Sequence, residues 1–230
     1  MTGPRDEYRP AAPLRPVLRT RESAYAYECR ACGRCCHDKL IPVNPYEIAR
    51  LAANRGLSTT ELIERFTEEG VALAVGDDGA CLFLGERGCE VHPDRPLVCR
   101  LYPLGAVTDP EGRELFVELE AQPGSEGRAG ADGTVAAYLQ AQGVAPYLEM
   151  AHRYRETVEK LVRALALGTG AAEAAATLRG SVDGADARVL DVDLALAGLE
   201  RRGLPLPQRV EDRVRLHISV LEAEIPSLSA

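Results

Sequence analysis

Seven cysteines lie between residues 29 and 99, and four of them form the segment Cys29-Arg30-Ala31-Cys32-Gly33-Arg34-Cys35-Cys36. Two cysteines separated by two residues can direct both sulfurs to one metal ion, because a tight turn brings them to the same side. Cys29 and Cys32 have this spacing, and so do Cys32 and Cys35. The pattern therefore predicts metal ligation by thiolates.

Adjacent cysteines behave differently from spaced ones. The side chains of Cys35 and Cys36 point to different faces in either a helix or a strand, so they are not expected to be two simple ligands of one tetrahedral ion. Three uses stay open: two different metals, two irons of one cluster, or one ligand beside a free or bridging thiolate. Two four-ligand sites would need one ligand more than seven cysteines supply, and His37 or His92 could provide it.

The second group of cysteines consists of Cys81, Cys89 and Cys99. The turn signal at residues 85–88 predicts that Cys81 and Cys89 face each other across a tight loop. Three thiolates are one short of a closed four-ligand site. We therefore expect the two cysteine groups to build one composite site, and the rival hypothesis is an independent site at residues 29–36.

Two arginines and a tyrosine surround the last cysteine. Arg95 and Arg100 flank Cys99, and Tyr102 follows closely. Metal-bound thiolates carry excess negative charge, which guanidinium groups would offset while donating hydrogen bonds to sulfur. We predict that these three residues support the ligands rather than bind metal themselves.

Taken together, the motifs resemble a known family. The run Cys-x-x-Cys-x-x-Cys-Cys is followed by Cys-x-Phe-Leu, by Gly-Cys and by Arg-Pro-x-x-Cys-Arg-x-Tyr-Pro. This order is similar to that of the YkgJ-type cysteine-cluster family, described as zinc- or iron-chelating and often labelled iron–sulfur, and to the cysteine region of flagellin lysine methylases. The resemblance covers residues 25–125. Many relatives carry a further Cys-Pro-Gly, where this chain has Gln122-Pro123-Gly124.

The resemblance implies a metal cofactor, with a [4Fe–4S] cluster favoured over zinc. Three functional hypotheses follow. The first is an iron–sulfur protein with redox or substrate-modifying chemistry, and the second is a zinc-binding structural or interaction module without catalysis. The third is a protein-modifying, methyltransferase-like enzyme acting on a protein or peptide, although the remaining sequence has no recognisable S-adenosylmethionine motif. No catalytic residue is predicted.

Composition and charge argue against other partners. The net charge is −8, whereas nucleic-acid modules are usually basic along one face. No stretch approaches the roughly 20 apolar residues of a membrane helix, and no basic start followed by an apolar core indicates a secretory signal. We therefore expect a cytoplasmic protein that binds neither nucleic acid nor membrane and whose cysteines stay reduced.

Local signals predict the elements that position the cysteines. Capping boxes at residues 44–47 and 58–61 predict two helices between the cysteine groups, the first ending near Gly56. Residues 107–112 separate two β-like runs and predict a hairpin. Residues 121–133 are rich in glycine and are expected to form a boundary or a mobile loop.

The sequence from Val135 onward is predicted to be helical. Leu148, Ala151, Tyr154, Val158, Leu161, Val162 and Leu165 share one helical face. Further helices are expected at residues 171–178, at 191–201 and from Val210, and His152 and His217 are interpreted as structural or surface residues. The predicted fold class is α+β and helix-rich, with a flexible arm at residues 1–22. A small cysteine-cluster domain with short strands at 23–125 is followed by a helical region at 134–230 that packs on it.

Overall fold

The computed structural model describes residues 17–169 and 187–228. Helices dominate, and the strands are short and antiparallel, which confirms the predicted α+β, helix-rich class. The strands are β1 (Leu18–Arg19), β2 (Ala24–Glu28), β3 (Thr67–Glu68), β4 (Ala72–Leu73), β5 (Leu84–Gly85), β6 (Gly88–Cys89), β7 (Leu104–Thr108), β8 (Glu114–Glu118) and β9 (Arg128–Thr134). The α-helices are α1 (Pro45–Arg55), α2 (Thr59–Phe66), α3 (Leu97–Leu101), α4 (Val135–Ala141), α5 (Ala145–Thr169), α6 (Val192–Arg201) and α7 (Val210–Leu228).

Both helices between the cysteine groups start as predicted. The Asn44 side chain accepts the backbone N–H groups of Tyr46 and Glu47, and the Glu47 carboxylate accepts the Asn44 N–H at 2.8 Å. Ser58 and Glu61 form the same reciprocal pair at the start of α2. Each box satisfies N–H groups that the first turn leaves unpaired, so α1 and α2 are defined largely by local sequence.

Two small sheets surround the cysteine region. Strands β1, β8 and β7 form one sheet in that order, which confirms the predicted hairpin between β7 and β8. Because β1 pairs with β8, residues 18–19 are part of the fold rather than of a flexible arm, and residues 1–16 lie outside the described residues.

The second sheet corrects the interpretation of the glycine-rich segment. Residues 128–134 form β9, which pairs with β2 directly before the first cysteine, with Tyr27 opposite Ala129. Strand propensity there is low, but the backbone groups of β2 need partners, and pairing with β9 supplies them. Through the pairing of β9 with β2, the glycine-rich segment therefore connects the cysteine region to the later part of the chain instead of separating them.

The long helix α5 buries a face next to the predicted one. Its buried side chains are Tyr147, Met150, Tyr154, Thr157, Leu161 and Ala164. The buried face is shifted by about one residue relative to the predicted face. Tyr147 and Thr157 are buried, whereas the hydropathy pattern favours Leu148 and Val158 at the buried positions. Helices α6 and α7 form as predicted, and the helix expected at residues 171–178 lies outside the described residues.

The C-terminal helices meet the cysteine region through α1. Tyr46 and Ala49 on α1 pack in one cluster with side chains of α5, α6 and α7. The opposite side of α1, including Ile48 and Leu51, packs in a second cluster that contains Cys81. In the parts of the chain that are described, no helix combines the length and apolar character needed to cross a membrane.

A buried histidine links α5 to α7. His217 is fully buried; its Nε2–H donates to the Arg188 carbonyl at 2.7 Å and its Nδ1 accepts the Tyr154 hydroxyl at 2.8 Å. Burial lowers the pKa of His217 to about 4, although the carboxylates of Asp191 and Asp193 favour its charged form. His152, in contrast, is exposed on the surface of α5.

We expect His217 to make the fold acid-sensitive. The unfolded chain binds a proton at the ordinary pKa near 6.5 and the folded chain only near 4, so the contribution is complete above pH 6.5 and is lost as pH falls toward 4. The loss amounts to about 3 kcal/mol of unfolding free energy. Melting temperatures between pH 7.5 and 4.5 should fall less steeply for His217→Gln than for the wild type. His152→Gln should keep the wild-type slope; equal slopes for all three proteins would contradict the prediction.

Candidate metal centre

All seven cysteines line one cavity of about 60 Å³. Apolar side chains, among them Ile41, Phe83 and Val91, form part of its wall, and Tyr27 and Tyr102 lie at its edge. Cys81 is buried, Cys29 is exposed, and the others lie between these extremes. The structure therefore brings the two predicted cysteine groups to a single place.

The first cysteine loop is shaped by two residues in the left-handed region. Ala31 has φ 52° and Gly33 has φ 73°, and a 3-10 turn follows at Arg34–Cys36. The Cys36 N–H donates to the Gly33 carbonyl at 2.9 Å, and the Ala31 N–H lies 3.4 Å from the Cys29 sulfur. These backbone contacts fix the turn that carries Cys29, Cys32, Cys35 and Cys36.

The second group is joined to the first by backbone hydrogen bonds. The Cys81 N–H donates to the Cys36 carbonyl at 2.8 Å, and Asp38 N–H donates to the Gly79 carbonyl at 2.9 Å. In the β5–β6 hairpin, Cys89 pairs with Leu84, so the predicted turn exists but Cys81 is not the cross-strand partner of Cys89.

Two glycines allow the loop and the hairpin to approach each other. A Cβ on Gly33 would lie 3.0 Å from the Leu84 side chain, and a Cβ on Gly88 would lie 3.0 Å from the Ala31 carbonyl oxygen. Both glycines have positive φ. Any larger residue would push the two cysteine groups apart while straining the backbone.

Cys99 is placed by the short helix α3, and Glu47 fixes the start of that helix. The Glu47 carboxylate accepts the Leu97 N–H at 2.6 Å in addition to its capping bond with Asn44. Burial raises the pKa of Glu47 to about 7. The sequence identified Glu47 only as a cap of α1. Its second partner, fifty positions away, carries no local sequence signal.

Positive charge from Arg95 and Lys39 reaches the cavity. Arg95 is half-buried, lines the cavity, and interacts electrostatically with Cys29 and Cys99. The ammonium group of Lys39 lies 4.3 Å from the centre of the Tyr102 ring, and its charge acts on Cys35. The expected supporting role of Arg95 agrees with this geometry, whereas Lys39 was missed because it follows the cysteines without a recognisable spacing.

Arg100 has a different surrounding from the one expected. Its guanidinium donates to the carbonyls of Pro93, Arg95 and Gln142, and also to the Tyr147 hydroxyl at 2.8 Å. It is 7% exposed and does not line the cysteine cavity. Arg100 therefore holds together the segments around α3 rather than donating to sulfur.

The thiols of the cavity differ in acidity. A hydrogen bond from Cys36 lowers the pKa of Cys35 to about 6, and the charge of Lys39 acts in the same direction. The same hydrogen bond, together with burial, raises the pKa of Cys36. Burial also raises the pKa of the thiols of Cys81, Cys89 and Cys99. The cavity thus favours one thiolate beside thiols that keep their protons, and a metal cation would have to displace those protons.

The two candidate histidine ligands are placed differently. His92 lines the cavity, and its Nδ1 faces Arg95 at 3.3 Å. Burial, followed by the charges of Arg95 and Arg100, lowers the pKa of His92 and favours the neutral ring. His37 uses Nδ1 to donate to the Gly33 carbonyl at 3.2 Å and does not line the cavity.

The tyrosines close one side of the site. Tyr27 and Tyr102 meet edge to face with ring centres 6.3 Å apart. The Tyr102 hydroxyl accepts the Gln122 N–H at 2.7 Å, and the Tyr27 hydroxyl lies 3.3 Å from that of Ser125. The position that resembles the further family cysteine, Gln122, is therefore held by its backbone to Tyr102, and Gln122 does not line the cavity.

The donor set fits a thiophilic metal by type. Across residues 17–169 and 187–228, however, no three Cys, His, Asp or Glu side chains are oriented so that they could hold one ion directly. The thiols share a cavity without converging on one point. Ligation by three or more of them therefore requires the thiols to move toward one another.

Comparison with known proteins agrees with this geometry. Residues 28–119 match the model of the CxxCxxCC family, described as "Putative zinc- or iron-chelating domain". An uncharacterized protein of Methanocaldococcus jannaschii is 32% identical over 85 residues, which cover 34% of this chain and 44% of that protein. The chain thus spans less than half the length of that relative. No solved structure matches the chain. The family match confirms the resemblance seen in the motifs and supports the prediction of a metal-binding cysteine cluster.

Proposed function

We propose that the protein binds an iron–sulfur cluster, with [4Fe–4S] favoured, in the cavity lined by its seven cysteines. The observation that carries this proposal is that both neighbouring residues, Cys35 and Cys36, line the same cavity as the more distant thiols. The Cys35 and Cys36 thiols are hydrogen-bonded to each other, and two ligands from adjacent residues suit different metal atoms of one polynuclear group better than a single tetrahedral ion. A single zinc ion would use four thiolates and leave three unused.

The charges around the cavity support the same proposal. Thiolates that converge on a metal group carry net negative charge, and Arg95 and Lys39 supply positive charge beside them. The rings of Tyr27 and Tyr102 also line the cavity and meet edge to face. Cys29 is the exposed member of the set and marks the side from which the site can be reached.

Such a cluster supplies one-electron transfer when bound. We propose that this protein uses it in redox or protein-modifying chemistry, with a protein or peptide as the substrate in the latter case. The protein would act in a reducing compartment such as the cytoplasm, where the thiols remain available. The alternative is a zinc-binding module without catalysis, which differs in the metal and in its optical spectrum.

The test is metal and sulfide analysis of the full chain purified without oxygen. We expect iron and acid-labile sulfide in near-equal amounts and a brown colour that a reductant bleaches. Purification from cells grown with added zinc serves as the comparison, because zinc can replace iron at empty thiolate sites. A colourless protein with stoichiometric zinc and no sulfide, obtained without oxygen and without added zinc, would overturn the iron proposal and support the zinc alternative.

A further inference from the structure

A second, larger cavity adjoins the cysteine cavity. It measures about 540 Å³ and shares Tyr27, Cys29, Ala31, His92 and Arg95 with the wall of the cysteine cavity. Residues 141–143, which comprise the last residue of α4 and the two that follow it, also line this space. We call this space the outer cavity. Its volume lies within the range of about 300–1,000 Å³ that is common for small-molecule sites.

Two arginines place positive charge on the wall of the outer cavity. Arg95 and Arg100 both line it, and neither forms an ion pair within residues 17–169 and 187–228. Their acceptors are backbone carbonyls, the Gln142 amide oxygen, the His92 ring and the Tyr147 hydroxyl. The acid on the wall, Glu28, is paired with Arg30 at 2.9 Å.

Glu47 does not change this balance. Its charge acts on Arg100, but its two carboxylate oxygens accept the Leu97 and Asn44 N–H groups, and it does not line the outer cavity. A buried or half-buried guanidinium without a carboxylate is costly in a protein interior. In a chain with a net charge of −8, two such groups on one wall indicate an anionic ligand.

Two donors remain for such a ligand. Arg100 uses its guanidinium nitrogens on protein acceptors, but Arg95 Nε has no acceptor among the described residues. His92 faces Arg95 with Nδ1, so its Nε2 carries the hydrogen and likewise has no partner among these residues. The Nε–H of Arg95 and the Nε2–H of His92 can each donate to one oxygen of a carboxylate.

We propose that the outer cavity binds a small organic carboxylate, which Arg95 and His92 hold by its oxygens and whose apolar body lies against Tyr27 and Pro93. Because Cys29 and Arg95 belong to both cavities, the bound molecule lies beside the metal centre. The inference deepens the proposed function by naming a ligand class. It rests on that function only for the neighbouring metal, since the binding groups themselves are protein side chains.

The test uses the full chain as purified, with 4-fluorobenzoate as the probe and fluorine NMR as the readout. Gln142→Glu is the central variant, because the Gln142 amide oxygen already accepts Arg95 at 2.5 Å. The carboxylate of a glutamate at position 142 has nearly the same shape as the amide and forms an ion pair with Arg95. We expect binding to weaken at least about tenfold, which corresponds to about 1.4 kcal/mol. Gln140→Glu, at an exposed position in the last turn of α4, adds the same charge and should bind within about twofold of the wild type.

Two further measurements separate the possible outcomes. The uncharged 4-fluorobenzyl alcohol should bind the wild type at least about tenfold more weakly than the benzoate, and the metal content of all variants should be equal. The carboxylate site would be overturned if Gln142→Glu bound the benzoate as tightly as the wild type. It would also be overturned if both glutamate variants lost the same affinity for the benzoate, or if the wild type bound the alcohol as tightly as the benzoate. Benzoate binding by a wild-type protein that contains neither iron nor sulfide after purification without oxygen would retain this site and contradict the proposed function instead.

Discussion

Replacing Cys99 with serine is expected to lower metal content and melting temperature about as severely as replacing Cys32. The two residues lie in different cysteine groups, but both line one cavity, and metal binding that closes the intervening chain is coupled to folding. Loss of a bound metal costs on the order of 4 kcal/mol or more. For a chain of this size that corresponds to a fall of roughly 8–16 °C. Metal analysis and thermal unfolding of both variants measure the effect.

Val98→Ser is the matched control for this prediction. Val98 lies beside Cys99 on α3, is 38% exposed and does not line the cavity. The control should retain metal and melt close to the wild type, which separates ligand loss from disturbance of the helix. A Cys99→Ser protein with full metal and wild-type melting would show that the first cysteine group binds metal alone, and the composite site would have to be abandoned.

Arg100→Met is expected to destabilise the fold by roughly 3–5 kcal/mol, because it leaves several buried acceptors without a donor. The lost partners are the carbonyls of Pro93, Arg95 and Gln142 and the Tyr147 hydroxyl. The Arg100 guanidinium also lies 4.1 Å from the centre of the Tyr147 ring, so stacking is lost as well. Denaturant unfolding with the metal content held equal measures the change.

Two other variants show whether the effect is specific. Arg87→Met removes an exposed arginine in the turn of the β5–β6 hairpin and should change the unfolding free energy by less than about 0.5 kcal/mol. Arg100→Lys retains the charge but not the planar fork, so it should recover only part of the loss. Full recovery by lysine would mean that charge, rather than the set of hydrogen bonds, explains the role of Arg100.

The sequence was most informative where the signals are local. Both capping boxes, the β7–β8 hairpin and the glycine-containing turn between β5 and β6 involve partners within a few residues of one another, and each was predicted with nearly correct bounds. The dense cysteines also indicated the candidate site, since thiol spacing is itself a chemical signal.

Prediction failed where a partner lies far along the chain. Arg100 beside Cys99 suggested contact with sulfur, but its acceptors include Gln142 on the turn after α4, which no spacing rule connects to it. The buried face of α5 was misplaced by about one position because Tyr147 satisfies its hydroxyl through Arg100, which permits this polar group inside. Strand β9 was missed because pairing, not propensity, makes it a strand.

That pairing bears on how such a cysteine segment can be passed between proteins. The family match ends at residue 119, yet the strand that precedes Cys29 is completed by residues 128–134, and α4 follows without a break. Transplanted into another protein without that later strand, the segment would keep every thiol but leave one edge of the backbone beside them unpaired. In this protein the structural unit is therefore longer than the cysteine motifs, and a host for the transplanted segment would have to supply a strand that pairs with β2.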